Sequence, residues 1–450
     1  MHTITGPLAE PEGPVLAARS TGVLINRDFA LLWGGQAVSN LGDWVFNTTL
    51  VLWIATGLAR GQSWAPLAVS GALVARFVPT LLVGPLAGVF VDRWDKRRTL
   101  LWADALRAAL ILGLVPVATL SAPPAWRLAA VYGAVVLATV CQQFFDPARL
   151  ALVGDIVAAP DRPRASGREQ MTVALAIVVG PSVAGPLYVG AGVRWALIAN
   201  ALSFAVSFLA LLRLRTPAPV ATSVPVDKRR ALREFAEGLR FFAGNRALTT
   251  ILVAAVLAML GSGAINALDI FFVTGNLRAP VSMYGLMSGS TGVGLLAGAV
   301  AGGLYAARLG LARVLWLSLV AVGSLVLVYA RLTSVGPALV VMFLVGIPNG
   351  TLNVVIDPLL LQVTPRALVG RVSGVLMPLM SLAALVSIAL TGLLDSTVLR
   401  GFHARLFGLS IGPIDTIFTA AALLCIAGGL YTCLNLRIAP PMRQQEDGLA

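Results

Sequence analysis

Twelve blocks of about 18 or more mostly apolar residues recur along this chain, near 30–57, 66–91, 99–120, 126–146, 170–190, 194–212, 247–274, 282–306, 313–330, 337–357, 372–394 and 413–436. Each is close to the roughly 20 residues that an α-helix needs to cross a hydrocarbon core about 30 Å thick. In lipid every backbone N–H and C=O must be satisfied within the segment, so such blocks have to be helical. The expected fold class is an all-α polytopic membrane protein with twelve transmembrane helices. Composition agrees, since 58% of the residues are hydrophobic and 12% charged, against about 25% charged in a soluble domain. A soluble enzyme is excluded.

The one long break, Arg213 to Arg246, divides the blocks six and six. The expected organisation is a mobile N-terminus over 1–25, a six-helix half over 26–212, a linker over 213–246, a second half over 247–437 and a tail over 438–450. Lysine and arginine set orientation, because positive loops stay in the cytoplasm. With the N-terminus inside, the outer loops and adjoining helix ends hold only Arg60, Arg127, Arg194, Arg278, Arg331, Arg400 and Arg405 of the 33 basic residues. Both termini are expected in the cytoplasm, the chain being multi-pass in the plasma membrane. The net charge of +13 is then a matter of topology, not a nucleic-acid surface. No signal peptide is expected, as the first 29 residues lack an apolar stretch ending in a small-residue cleavage site. Within the linker, Leu232, Phe235, Leu239 and Phe242 recur at helical spacing among Lys228, Arg229, Arg230, Arg233 and Arg240, the pattern of a basic amphipathic helix on the inner leaflet.

Several chemistries lack their residues. The only lysines, Lys96 and Lys228, each follow an aspartate, whereas a phosphate-cradling loop needs Gly-Lys-Ser/Thr. His2 and His403 are too few for a helical zinc site, and Cys141, Cys425 and Cys433 all fall within blocks. Gly292, Gly294 and Gly298 lie inside a block with no strand before them, so they read as close helix packing, not a dinucleotide loop. No metal, cofactor, nucleotide or catalytic residue is expected; the partners expected are a small-molecule substrate, protons and the bilayer, with the chain a monomer.

The most specific motif follows the second block: Gly88-Val89-Phe90-Val91-Asp92-Arg93-Trp94-Asp95-Lys96-Arg97-Arg98. It resembles the G-x-x-x-D-R-x-x-x-R-R loop between helices two and three of the major facilitator superfamily. Internal repetition supports that resemblance. Gly303, Arg308 and Arg313 repeat the loop after block eight, Asp146-Pro147 recurs as Asp357-Pro358, and Pro163 to Arg168 recurs as Pro365-Arg366-Ala367 with Gly370-Arg371. Two structural repeats, related about an axis along the membrane normal, are expected. Asp92, Asp146 and Asp357 should lie at inner helix ends beside Arg93, Arg97, Arg168, Arg308 and Arg371, as charge pairs that close the inner side and break when it opens. Gly88 belongs to the same gate.

Ionisable groups deep in a membrane are functional candidates because their burial is costly. Asp43 in block one and Arg76 in block two are expected partners; Asp104 and Arg107 in block three are three apart, hence on one helix face. Asp269 lies near the outer end of block seven, and Gln142, Gln143, Asn349 and Asn353 are polar groups of blocks four and ten. A carboxylate that alternates between a proton and a cationic substrate, or between a proton and an arginine, can couple a proton gradient to solute movement.

Gly180-Pro181-Ser182-Val183-Ala184-Gly185 in block five is similar to the Gly-Pro motif of drug:proton antiporters in the superfamily, with the second glycine displaced to Gly185. Block four lacks the mid-helix arginine common in proton-coupled drug exporters. The first block, from Asn26-Arg27-Asp28 through Asp43, resembles the macrolide-efflux and siderophore (enterobactin-type) exporter branch. The resemblance implies a secondary transporter that exports a small amphipathic molecule in exchange for protons by alternating access. An importer or lysolipid transporter of the same fold, or a membrane scaffold that no longer transports, are the alternatives.

Overall fold

The computed structural model describes residues 25–91, 93–215, 240–242, 244–365, 368–402, 404–406 and 409–436. Asp92, Arg366, most of the linker and the two ends expected to be mobile lie outside this set. Twelve long helices are present among the described residues: α1 (Arg27–Trp53), α2 (Ala65–Leu82), α3 (Lys96–Thr119), α4 (Pro124–Ile156), α5 (Arg162–Ala191), α6 (Val193–Leu212), α7 (Arg246–Phe271), α8 (Met283–Leu309), α9 (Leu311–Tyr329), α10 (Val335–Val363), α11 (Val369–Leu393) and α12 (Pro413–Asn435). Eleven of them are long and apolar enough to cross a membrane. The twelfth, α1, is diluted by Asp28, Gln36, Asn40, Asp43 and Asn47. A short antiparallel pair, Ala404–Leu406 with Leu409–Ile411, precedes α12.

Both halves begin with the same device. The Asn26 side chain accepts from the Phe29 N–H at 2.6 Å, and the Asn245 side chain accepts from the N–H groups of Ala247 and Leu248 at 3.0 and 3.3 Å. Each asparagine therefore satisfies amide groups that the first helical turn leaves without partners. At the other ends, Gly192 (φ 85°) joins α5 to α6 and Gly310 (φ 84°) joins α8 to α9. Those left-handed single-residue turns suit glycine, which has no β-carbon to clash.

Within the N-terminal half, α1 packs on α5 and α6, α3 on α4 and α6, and α2 on α4. The C-terminal half repeats these pairs as α7 on α11 and α12, α9 on α10 and α12, and α8 on α10. Between halves, α5 packs on α8 and α2 on α11. These two seams also map onto each other under the repeat.

Helices alternate in direction, so the molecule has a near face, where α1 starts, and a far face, where it ends. At the far face one apolar core joins both halves, with Leu50, Val69 and Leu197 alongside Phe272, Tyr329 and Ile388. Towards the near face the core divides into two. One part holds Phe29, Leu100, Phe145 and Leu211, the other Leu248, Val314, Val345 and Val372. The halves are thus joined at the far face and apart at the near face.

The helices depart from the expected blocks in three places. The second block is interrupted at Val83, with an eight-residue helix (Gly84–Val91) completing it. Pro85 lacks an N–H and its ring crowds the preceding turn. Helices α4 and α10 run well past their Asp-Pro pairs, to Ile156 and Val363, so Asp146 and Asp357 lie inside helices and not at their ends. The segment Pro163 to Arg168, ahead of the expected fifth block, is the first turn and a half of α5; a proline at the start of a helix costs no hydrogen bond. Of the apolar positions expected on the linker helix only Phe242 is described, and it is buried in the C-terminal core with Leu248 and Ile251, not turned to lipid.

Candidate functional site

The buried charges gather in the N-terminal half around Arg107, at the middle of α3. Its side chain is only 3% exposed. One Nη donates to Asp104, which is fully buried one turn earlier on the same helix. The other donates to Gln142 Oε1 of α4 and lies 3.9 Å from Asp43 Oδ2 of α1. The guanidinium carbon sits 4.4 Å from the Phe145 ring centroid and 4.5 Å from that of Phe204. Two carboxylates, an amide and two aromatic faces therefore hold one cation away from water, as the planar guanidinium allows.

Gln142 extends the chain of contacts, donating from Nε2 to Asp146 Oδ1 at 2.7 Å. Asp146 is exposed, and the Asp43 side chain is 32% exposed. The cluster thus runs from a sealed end at Asp104 to two carboxylates that solvent can reach. Such a line of donors and acceptors can redistribute charge when either open carboxylate gains a proton or a cationic ligand.

This arrangement corrects one expectation. Asp43 lies within ion-pair distance of Arg107, whereas Arg76 on α2 acts on it electrostatically from beyond that distance. Asp104 and Arg107 do pair, as their spacing requires. From α3 the Arg107 guanidinium reaches across to α4, donating to Gln142. Phe145 and Phe204 had no signal of their own in the sequence, being two more aromatics in apolar helices.

The C-terminal half is built differently. Under the repeat, Asp104 and Arg107 correspond to the apolar Leu319 and Val322 of α9. Asp269 is 4% exposed and accepts from the Tyr329 hydroxyl at 2.6 Å, beside Phe272 and Phe418. It belongs to the far-face core. Asn349 and Asn353 of α10 line a small cavity with Met259 of α7 and Met380 of α11. Gln143 turns to α2, donating to Thr80 Oγ1 at 3.3 Å.

At the near face the expected gate groups are separated or bound within their own half. Arg97 donates to the carbonyls of Leu211 and Leu212 at 3.0 and 2.6 Å, closing the C-terminus of α6. Lys96 pairs with Asp155 at 2.6 Å, and Arg149 with Glu169 at 2.8 Å. Arg93, Arg308 and Asp357 are exposed, while the Arg168 carbonyl accepts from Trp33 Nε1 at 3.3 Å. Arg371 lines an open surface cavity with Arg240 and Arg246. A β-carbon at Gly88 would meet nothing within 4 Å.

The far-face seams, by contrast, are tight. A β-carbon on Gly185 of α5 would strike the Ser282 carbonyl at the start of α8, and one on Gly285 would strike the Pro181 carbonyl. Gly180, in the same α5 motif, faces Trp44 of α1. On the opposite seam, the Leu67 N–H of α2 donates to Ser396 Oγ at 3.2 Å, just past α11. Gly292, Gly294 and Gly298 serve packing: the first meets Val178 of α5, the others the carbonyls of Phe343 and Ile347 on α10.

Two six-helix repeats, joined at one face and parted at the other around a buried ionic cluster, define a major facilitator-type transporter. Residues 20–411 match the family model described as transmembrane secretion effector, and the chain belongs to that family. It is 23% identical over 399 residues to the uncharacterized MFS-type transporter YkuC of Bacillus subtilis, covering 86% of this chain and 90% of that one. Macrolide efflux protein A of Streptococcus pyogenes is 26% identical over 242 residues, 53% of this chain and 57% of its own. Among solved structures, a bacterial homologue of the iron transporter ferroportin, in an inward-facing state, superposes with a TM-score of 0.69 at 16% identity, covering 90% of this chain and 98% of that one. The peptide transporter POT, in complex with alafosfalin, gives 0.68 at 14% identity over 92% and 96%.

Proposed function

We propose that this transporter exports a small amphipathic molecule across the cytoplasmic membrane in exchange for protons, with the near face and both termini on the cytoplasmic side. The observation that carries the reading is the shared cation: Arg107 lies between a sealed carboxylate, Asp104, and an accessible one, Asp43. When Asp43 is ionised it competes for Arg107 and attracts a cationic group of the substrate. When Asp43 is protonated that attraction is lost and Arg107 returns to Asp104. Substrate and proton then exclude each other at Asp43, which is the minimum requirement for exchange.

The substrate would bind near the midplane between the halves. Asp43, Gln142, Asp146 and Arg76 would face it from one side, and the amides and methionines of α7, α10 and α11 from the other. Similarity to macrolide efflux protein A supports export and an amphipathic cargo. In the far-open state Asp146 and Asp357 would meet arginines at the near face, the inner gate expected from the signature loop.

Uptake of a fluorescent cationic amphipath into cells with and without the protein, each with and without a protonophore, tests direction and coupling together. Export predicts lower accumulation that the protonophore abolishes. Asp43→Asn should abolish pH-driven exchange in proteoliposomes while leaving the protein folded. Intact exchange in that variant would remove Asp43 as the coupling group.

A further inference from the structure

The helix α11 does not end as an α-helix. A π turn, Leu394–Val398, prolongs it at the far face, and such single turns concentrate at functional positions. This turn packs against α2, making it half of one of the two seams that hold the halves together. Ser396 accepts the Leu67 N–H. Asp395, beside it, has an Oδ1 that is buried and has no hydrogen-bond partner, and the Ser70 hydroxyl of α2 is buried without one as well.

An ionised carboxylate oxygen sealed from water with no donor is costly, and such a group neutralises instead. Among the described residues Asp395 makes no ion pair. On α2 the nearest charged group is Arg76, nine residues and roughly 13 Å along the helix from Leu67; on α11 it is Arg371, at the opposite end. On α12, Asp415 is occupied by Asn276 at 2.5 Å and by the Gly412 N–H at 2.8 Å. Arg400, which follows the turn, is exposed and makes no ion pair with it.

We propose that Asp395 carries a proton while the far face is closed and releases it when α2 parts from α11, so that protons on the far side drive closure. That oxygen belongs to a half-buried carboxyl on the turn that packs against α2 while the seam is shut. Opening the seam admits water, and the ionised form becomes affordable. Because the closed state binds one more proton than the open one, low pH on the far side favours closure. This inference rests on alternating access, and on the proposed proton exchange only for its direction: in an exporter, the proton taken up at the outer face would accompany the return to the inward-open state.

The test is a distance measurement on the full chain in lipid nanodiscs, with Cys141, Cys425 and Cys433 replaced by serine. Spin labels go on Gln62→Cys and Arg400→Cys, both exposed beside the seam. Between about pH 4 and about pH 7 the closed-to-open ratio should fall with rising pH, by up to about tenfold per unit for one proton, and level off above that. Asp395→Asn should stay closed, its ratio moving less than about twofold. Ser70→Ala and Asp43→Asn should keep the native slope. An unchanged slope in Asp395→Asn, or a slope lost in Asp43→Asn instead, overturns the proposal. A protein that shows the Asp395-dependent slope but no proton-driven export would sustain this inference and refute the exchange reading.

Discussion

Arg107 concentrates the chemistry of the molecule in one side chain. Removing one member of a buried ion pair costs about 3–5 kcal/mol, because the other is left uncompensated. Arg107→Met should therefore lower the thermal unfolding midpoint in detergent sharply, and Asp104→Asn in the same chain should recover part of the loss. Full stability in the single variant would show that Asp104 does not need its partner. Arg107→Lys keeps the charge but loses the planar fork that reaches Asp104 and Gln142 while resting between Phe145 and Phe204. It should fold, yet transport much more slowly in proteoliposomes. The Asp104 and Arg107 pair was legible from spacing alone, since three residues along a helix share a face. The partner of Asp43 was not, because two arginines were at comparable depth and only the packing of α1 and α3 on their shared neighbour α6 decides between them. Asp269 was ambiguous for the same reason: nothing in its own helix announces the Tyr329 hydroxyl.

At the level of elements, the repeat is faithful in topology and unequal in packing. Helices α8 and α10 meet backbone to backbone, where Gly298 abuts the Ile347 carbonyl, Gly350 the Leu295 carbonyl, and the Thr351 hydroxyl donates to the Gly298 carbonyl at 3.0 Å. Their counterparts α2 and α4 are held apart by side chains, with Tyr132 donating to the Ala68 carbonyl at 2.7 Å and Gln143 reaching Thr80. Gly298→Leu should accordingly abolish correct assembly, seen as loss of monodisperse protein in size-exclusion chromatography. Gly88→Ala, at a site open on every side in this conformation, should leave the unfolding midpoint unchanged. Helix number and order were readable from hydropathy because length against the bilayer is a strong constraint. Helix ends were not, since Pro147 and Pro358 look like terminators and yet sit within continuous helices. Hydropathy also falls once α4 and α10 emerge from the apolar layer, while their backbone hydrogen bonding continues.

For the whole molecule, the single far-face core and the divided near-face core specify the conformation. Leu67→Cys with Ser396→Cys, on a chain freed of its native cysteines, should cross-link under oxidation and stop transport, with activity returning on reduction. Transport unaffected by that cross-link would mean the seam need not open. The interruption at Val83 bears on the same movement. The longer piece of this span, Ala65–Leu82, packs both on α11 of the other half and on α4 of its own, and Gly84–Val91 packs on α4. The longer piece therefore bridges the halves, and the missing amide of Pro85 lies where it gives way to the short one. A hinge at that break would let the longer piece tilt with the seam while the short piece stays on α4, so that the two faces of the molecule need not move as one rod.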